Sequence, residues 1–182
     1  MLQIDLLIFP ELETERLKLR RLEQSDVNTV FALRSNPEIM KYIPVPLTQS
    51  IEEAEAYIRS IDERMENKEC VNWAITLKDS GVMIGTIGFY RMKLEHYRAE
   101  AGYMILPQFN GKGYVTEALN AIIEYGFSTM KLHSLEALID PANIGSMKVL
   151  EKCGFEKEAH FKEHLFFNGQ FLDSAIYSKL NK

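Results

Sequence analysis

Two rhythms of apolar and polar positions run along this chain. Leu17, Leu19 and Leu22, separated by Lys18, Arg20 and Arg21, have the period of a half-buried strand. Ser25 or Asp26 is placed to cap a helix running to about Ser35, which Asn36-Pro37 breaks. Ser50-Ile-Glu-Glu53 has capping-box spacing. Ile51, Ala54, Ile58, Ile61 and Met65 follow at helical intervals and predict an amphipathic helix to about Asn67. From Cys70 the rhythm changes. Val71, Trp73, Ile75 and Leu77 alternate, Asp79-Ser-Gly81 makes a turn, and Val82 to Leu94 resumes as a strand. Arg98 to Leu106 predicts another strand, ending at Pro107. A glycine-rich stretch then opens a helix with Val115, Leu119, Ile122 and Ile123 on one face. Leu135 to Ile139 is a short apolar strand, and Asn143 caps a helix that stops at Gly154. Phe155 to Phe167 and Gln170 to Ser178 form a hairpin about Asn168-Gly169, a type I′ turn signal. The order β-α-α-β-β-β-α-β-α-β-β describes a mixed α/β domain with an antiparallel middle.

Composition narrows the possibilities without deciding among them. At 182 residues, 46% apolar and 26% charged, the chain is most simply one globular domain with a proper core. No apolar run approaches the roughly 20 residues that span a bilayer, so no membrane role is expected. The opening MLQIDLLIFP lacks a basic leader and carries Asp5, which suggests an added strand or packed arm rather than a secretory signal. Cys70 and Cys153 make neither a disulfide framework nor a metal site, and a reducing cytoplasm suits them. A net charge of −5 argues against general nucleic-acid binding and suits a cationic partner. No His, Cys and carboxylate cluster has zinc spacing, so no metal is expected.

The candidate chemistry begins at Pro107-Gln-Phe-Asn-Gly-Lys-Gly113. A nucleoside-triphosphate loop needs a further glycine upstream, where Leu106 and Pro107 stand. A dinucleotide loop needs one at Thr116. What is left is a strand-to-helix loop whose glycines let backbone N–H groups approach an anion at the positive helix end, with Lys112 adding charge. A ligand-free αβ turn has the same spacing. Downstream, Asn143-Ile-Gly-Ser146-Met-Lys148-Val-Leu-Glu-Lys152-Cys-Gly154-Phe155 is by itself a capped helix with a glycine stop.

Taken in order, these motifs resemble the GNAT N-acetyltransferases, in particular the ribosomal-protein N-terminal (alanine or serine) acetyltransferase branch. Thr14-Glu-Arg-Leu-Lys-Leu-Arg20 looks like that branch's opening strand, and Gly81-Val-Met-Ile-Gly85-Thr-Ile-Gly88 like its central hairpin. Ala99-Glu100-Ala-Gly102-Tyr103 followed by Gln108-x-x-Gly111-x-Gly113 resembles its cofactor motif, and the Asn143 segment its later helix. The resemblance implies a mostly antiparallel central sheet with helices on both faces, one acetyltransferase domain over 1–182, and acetyl-coenzyme A as cosubstrate. It assigns the pyrophosphate to Gln108, Phe109, Asn110, Gly111, Lys112, Gly113, Tyr114 and Val115. The pantetheine arm falls to Met104, Ile105, Leu106, Asn143 and Ser146.

Acetyl transfer to an amine needs a neutral nucleophile, a polarised thioester carbonyl and a leaving thiolate. An α-amine titrates near 7.7–8.0, so a modest base suffices. Glu100 is the candidate, acting through a water; Glu95 and His96 are further ones, and a salt-bridged strand carboxylate is the plain alternative. A backbone N–H near Met104 or Ile105 would meet the oxyanion. Many GNAT enzymes place a tyrosine after the asparagine to meet the thiolate. This chain has Ser146 there and no tyrosine between Asn143 and Gly154. Cys153 shares an apolar face with Val149 and Leu150, which predicts packing and direct transfer. Trp73, Phe89, Tyr90 and Tyr103 are divided between core and substrate groove. The acceptor is then an amine on a protein N-terminus or a small cationic amine (a polyamine, aminoglycoside or amino acid), and the enzyme a monomer or homodimer. A non-catalytic module that holds acetyl-coenzyme A is the rival from another class.

Overall fold

The protein is described by a computed structural model over residues 9–182; most of the apolar opening segment lies outside the described residues. Among the described residues eight strands form one sheet in the order β1-β2-β3-β4-β5-β6-β8-β7. They are β1 (Leu12–Glu13), β2 (Leu17–Arg21), β3 (Val71–Leu77), β4 (Met83–Lys93), β5 (Arg98–Ile105), β6 (Ser134–Ile139), β7 (Glu156–Phe167) and β8 (Gln170–Leu180). Every pairing is antiparallel except β5 with β6. The helices are α1 (Val27–Arg34), α2 (Pro37–Met40), α3 (Ile51–Glu66), α4 (Tyr114–Glu124) and α5 (Ile144–Lys152).

Apolar periodicity sends these helices to opposite faces. Val30, Leu33, Ala54 and Ile58 of α1 and α3 cover Ala74 and Met104. Leu119 and Ile122 of α4 and Leu150 of α5 cover Trp73, Ile87, Phe89 and Ala101. With both faces covered, β3 is buried from Val71 through Thr76 instead of on alternate residues. Trp73 anchors the α4 side, meeting Phe9, Phe89 and Tyr125 edge-on at 5.8–5.9 Å and donating Nε1 to the Pro10 carbonyl at 2.6 Å.

Three details depart from the sequence reading. Asp26 precedes α1 but makes no side-chain cap bond. A buried ion pair outcompetes that role: the Arg20 fork holds both Asp26 carboxylate oxygens at 2.7 Å. Asn36 ends α1 as expected and also starts α2, accepting the Glu38 N–H with Pro37 at the first helical position. Strand β4 carries a bulge, since Phe89 pairs with Ala101 and Arg91 with Glu100, leaving Tyr90 extra. The extra residue turns both Tyr90 and Arg91 toward the α1/α3 face.

Candidate functional site

The parallel pair opens like a fork. β5 and β6 are in register only at Arg98–Ser134, Ala99–Leu135 and Glu100–Glu136. Beyond Glu100 the strands diverge, so the β6-facing backbone edge of Ala101 through Ile105 has no strand partner among the described residues. The space between is a cleft of about 1370 Å³, running from the start of α4 past the fork to the α1–α2 side and the β7–β8 hairpin.

The glycine loop forms one end. Gly111 and Gly113 adopt φ of +73° and +81°, values that cost other residues about 1–2 kcal/mol. Phe109 and Asn110 spend their N–H groups on Leu106 and Pro107, and Glu117 spends its own on Gly113. Among the described residues, the N–H groups of Gly111, Lys112, Gly113, Tyr114, Val115 and Thr116 have no hydrogen-bond acceptor. Such a row at a helix start is a cradle for a polyanion. Arg16 holds it in place: its guanidinium donates to the Lys112 carbonyl at 3.0 Å, pairs with Glu117 at 2.7 Å and stacks 4.4 Å over the Tyr114 ring. Arg16 belongs to the opening-strand motif, and its contacts lie about a hundred residues away in sequence, beyond the reach of any local signal.

Most of the expected residues meet here: Met104, Ile105, Phe109, Asn110, Gly111, Gly113, Tyr114, Val115, Asn143 and Ser146 all line the cleft. Leu106, Gln108 and Lys112 do not. Leu106 gives its N–H to Ile84 and takes one from Phe109, so its backbone belongs to the sheet and the turn. Gln108 and Lys112 are exposed, with the Lys112 ammonium 5.4 Å over Phe109. Asn143 caps α5 by accepting the Ser146 N–H at 3.0 Å.

Glu100 is the last paired residue before the fork and faces the α1/α3 side, where Arg91 holds its carboxylate at 3.0 Å. Glu95 and His96 are exposed and lie outside the cleft lining. On the other side stands a hydroxyl pair that the sequence did not disclose. Tyr103 of β5 reaches α5, its hydroxyl 2.8 Å from Ser146 Oγ and 3.3 Å from the Ser146 carbonyl. Burial pushes the Tyr103 phenol up to about 12, partly offset by the Ser146 bond, so it is neutral at ordinary pH. Tyrosine is therefore present opposite Ser146 after all, supplied by the strand. Cys153 is buried, its thiol directed at the Thr116 carbonyl at 3.8 Å and pushed up by desolvation. It lies outside the cleft lining.

An open strand edge running toward a helix start with free N–H groups suits an extended cosubstrate that ends in a polyanion. Residues 16–156 match the family described as acetyltransferase (GNAT) domain, and the chain belongs to that family of N-acetyltransferases. It is 35% identical over 171 residues to the uncharacterized N-acetyltransferase YoaA of Bacillus subtilis, covering 94% of this chain and 97% of that protein. The crystal structure of a GNAT acetyltransferase from Bacillus anthracis superposes with a TM-score of 0.84 at 31% identity, over 94% and 99% of the two chains. Spermidine N-acetyltransferase from Vibrio cholerae, solved in complex with CoA and spermine, gives 0.82 at 25% identity over 92% and 97%. The ribosomal-protein-S5-alanine acetyltransferase from Vibrio fischeri gives 0.82 at 24% over 95% and 97%, a likeness of fold. No helix among the described residues is long and apolar enough to cross a membrane.

Proposed function

We propose that the whole 1–182 chain acts as one domain that moves the acetyl group of acetyl-coenzyme A directly to a primary amine. The acceptor is a protein N-terminus, that of a ribosomal protein among them, or a small molecule such as a polyamine or amino acid. One observation carries this reading. The open edge of β5 leads directly into the unpartnered N–H row of residues 111–116, giving an extended strand-like arm and a pyrophosphate their natural partners along one line.

The thioester then lies at the fork with different chemistry on its two sides. The amine arrives from the α1/α3 side, where Glu100 receives its proton through a water and Arg91 fixes the carboxylate. A free backbone N–H of the β5 edge near Met104 or Ile105 donates a hydrogen bond to the developing oxyanion. The thiolate departs toward Tyr103 and Ser146. A phenol at about 12 facing a thiol near 8.5 is a poor proton source, since that transfer is uphill by roughly 5 kcal/mol. Tyr103 and Ser146 therefore donate hydrogen bonds to the thiolate, and the proton that finally neutralises it is the one Glu100 took from the amine, handed on through solvent. The lack of a tyrosine in α5 was the one feature favouring a non-catalytic module, and Tyr103 removes its force.

The test is thiol release from acetyl-coenzyme A against a panel of amines. Amine-dependent release, with one acetylated amine per thiol, agrees with the reading. Tight binding without release for every amine class contradicts it.

A further inference from the structure

Resting on that reading of the cleft, we propose that Arg34 forms an anion subsite. The acceptor is then an amine whose own molecule carries an anionic oxygen group, a carboxylate or a phosphate, in preference to a polyamine. Arg34 is the last residue of α1 and lines the cleft on the acceptor side. Its guanidinium stacks 3.9 Å over the Tyr57 ring. Among the described residues no carboxylate lies within ion-pair distance of it, although ion pairs occupy many other arginines. Its Nε is buried without a hydrogen-bond partner among the described residues.

The neighbouring cations are spoken for. Arg64 donates to the Tyr90 carbonyl at 2.6 Å and sits 3.5 Å from Glu69. Arg91 holds Glu100 at 3.0 Å. Glu38 shares the wall, but its side chain is exposed and outside ion-pair distance of Arg34. Among the described residues Arg34 is thus a half-buried charge without a counter-charge, a costly arrangement unless a ligand supplies one. A guanidinium fork fits a carboxylate or phosphate through two parallel hydrogen bonds.

Its position links this anion to the reacting amine. Arg34 lies on Tyr57, the Tyr57 and Tyr90 hydroxyls neighbour each other, and the Tyr90 ring stands over Gly102. A Cβ at Gly102 would come within 3.0 Å of that ring, and Gly102 lies two residues past the last β5–β6 pair. Arg34 and the fork therefore line one cleft, joined along its wall by the Tyr57 and Tyr90 rings. Ile39, Ile43 and Val45 line the same side and lower the local dielectric, which strengthens the pairing. For a polyamine the same guanidinium is a like charge and repels its second ammonium.

The experiment compares kcat/KM for matched acceptors that differ only in the anion. Apolar L-amino acids are set against their carboxamides, O-phosphoethanolamine against ethanolamine, and spermidine is run beside both. The wild-type enzyme should prefer an anionic member by about 10- to 100-fold, and the pair with the larger ratio identifies carboxylate or phosphate. Arg34→Gln should bring that ratio close to one, with the loss falling in KM for the acceptor, while Arg34→Lys keeps part of it. A thermal melt of each variant reports whether it is folded. Equal use of both members, a preference for spermidine, or an Arg34→Gln loss that is equal for both members would overturn the subsite while leaving acetyl transfer standing. Release of thiol with no amine at all would sink the functional reading and the subsite together.

Discussion

The Tyr103 hydroxyl stands 2.8 Å from Ser146 Oγ, joining β5 to α5 beneath the open fork. Two side chains 43 positions apart in sequence thus make one donor pair on the thiol side of the site. Removing either donor should lower kcat. Tyr103→Phe and Ser146→Ala are each expected to cost about 10- to 100-fold, the worth of a hydrogen bond to a developing charge. Acceptor KM should change far less than kcat. The double variant should lose little beyond the worse single one, because the two hydroxyls act as a unit. Steady-state kinetics with a fixed amine checks both statements.

The same phenol makes a prediction about alkaline stability. Tyr103 titrates near 12 in the folded protein and near 10 when unfolded, so the folded state keeps a proton that the unfolded state gives up. Its contribution is intact below pH about 10 and is lost as pH rises toward 12, by roughly 3 kcal/mol at the end of that window. Urea melts at stepped pH should show the decline, and Tyr103→Phe should reduce its slope.

At the glycine loop, Gly111→Val and Gly113→Val should raise the KM for acetyl-coenzyme A strongly and leave the fold largely intact. A Cβ at Gly111 meets nothing within 4 Å, and one at Gly113 meets only the Arg16 guanidinium at 3.5 Å. The penalty is therefore backbone strain at positive φ, about 1–2 kcal/mol, and it falls on the N–H row. Circular dichroism with cofactor titration separates the two effects; unchanged cofactor affinity would remove the cradle.

Cys153→Ala should retain near-normal turnover, since the thiol is buried against the Thr116 carbonyl and is not part of the cleft lining. Intact-mass measurement during turnover should find no acetyl group on the protein. An acetylated Cys153 would contradict direct transfer.

Away from the cleft, Asp26→Ala should destabilise the protein by about 3 kcal/mol, because it strands Arg20 in a largely buried pair. Chemical denaturation measures it, and a loss near zero would assign the pair to the exposed class.

What the sequence disclosed follows from how local each signal is. Gly111, Gly113 and Asn143 were legible because a left-handed φ or an N-cap is decided by neighbouring residues. The α3 stripe was legible because periodicity reports one covered face. The uniform burial of β3 was not, since two helical layers cover it and the second layer is distant in sequence. The β4 bulge left no mark either, and it is what brings Arg91 to Glu100. Tyr103 was visible as a groove or core aromatic, but its partner is set by the fork between β5 and β6. Two short elements, β1 and α2, hold too few residues to show a period.

The most direct measurement is a structure of the protein with acetyl-coenzyme A bound. The account predicts the pyrophosphate on the N–H groups of residues 111–116, the pantetheine arm paired with the open β5 edge, and the sulfur facing Tyr103 and Ser146. A cofactor seated elsewhere, or a thioester turned away from the fork between Glu100 and Tyr103, would contradict it.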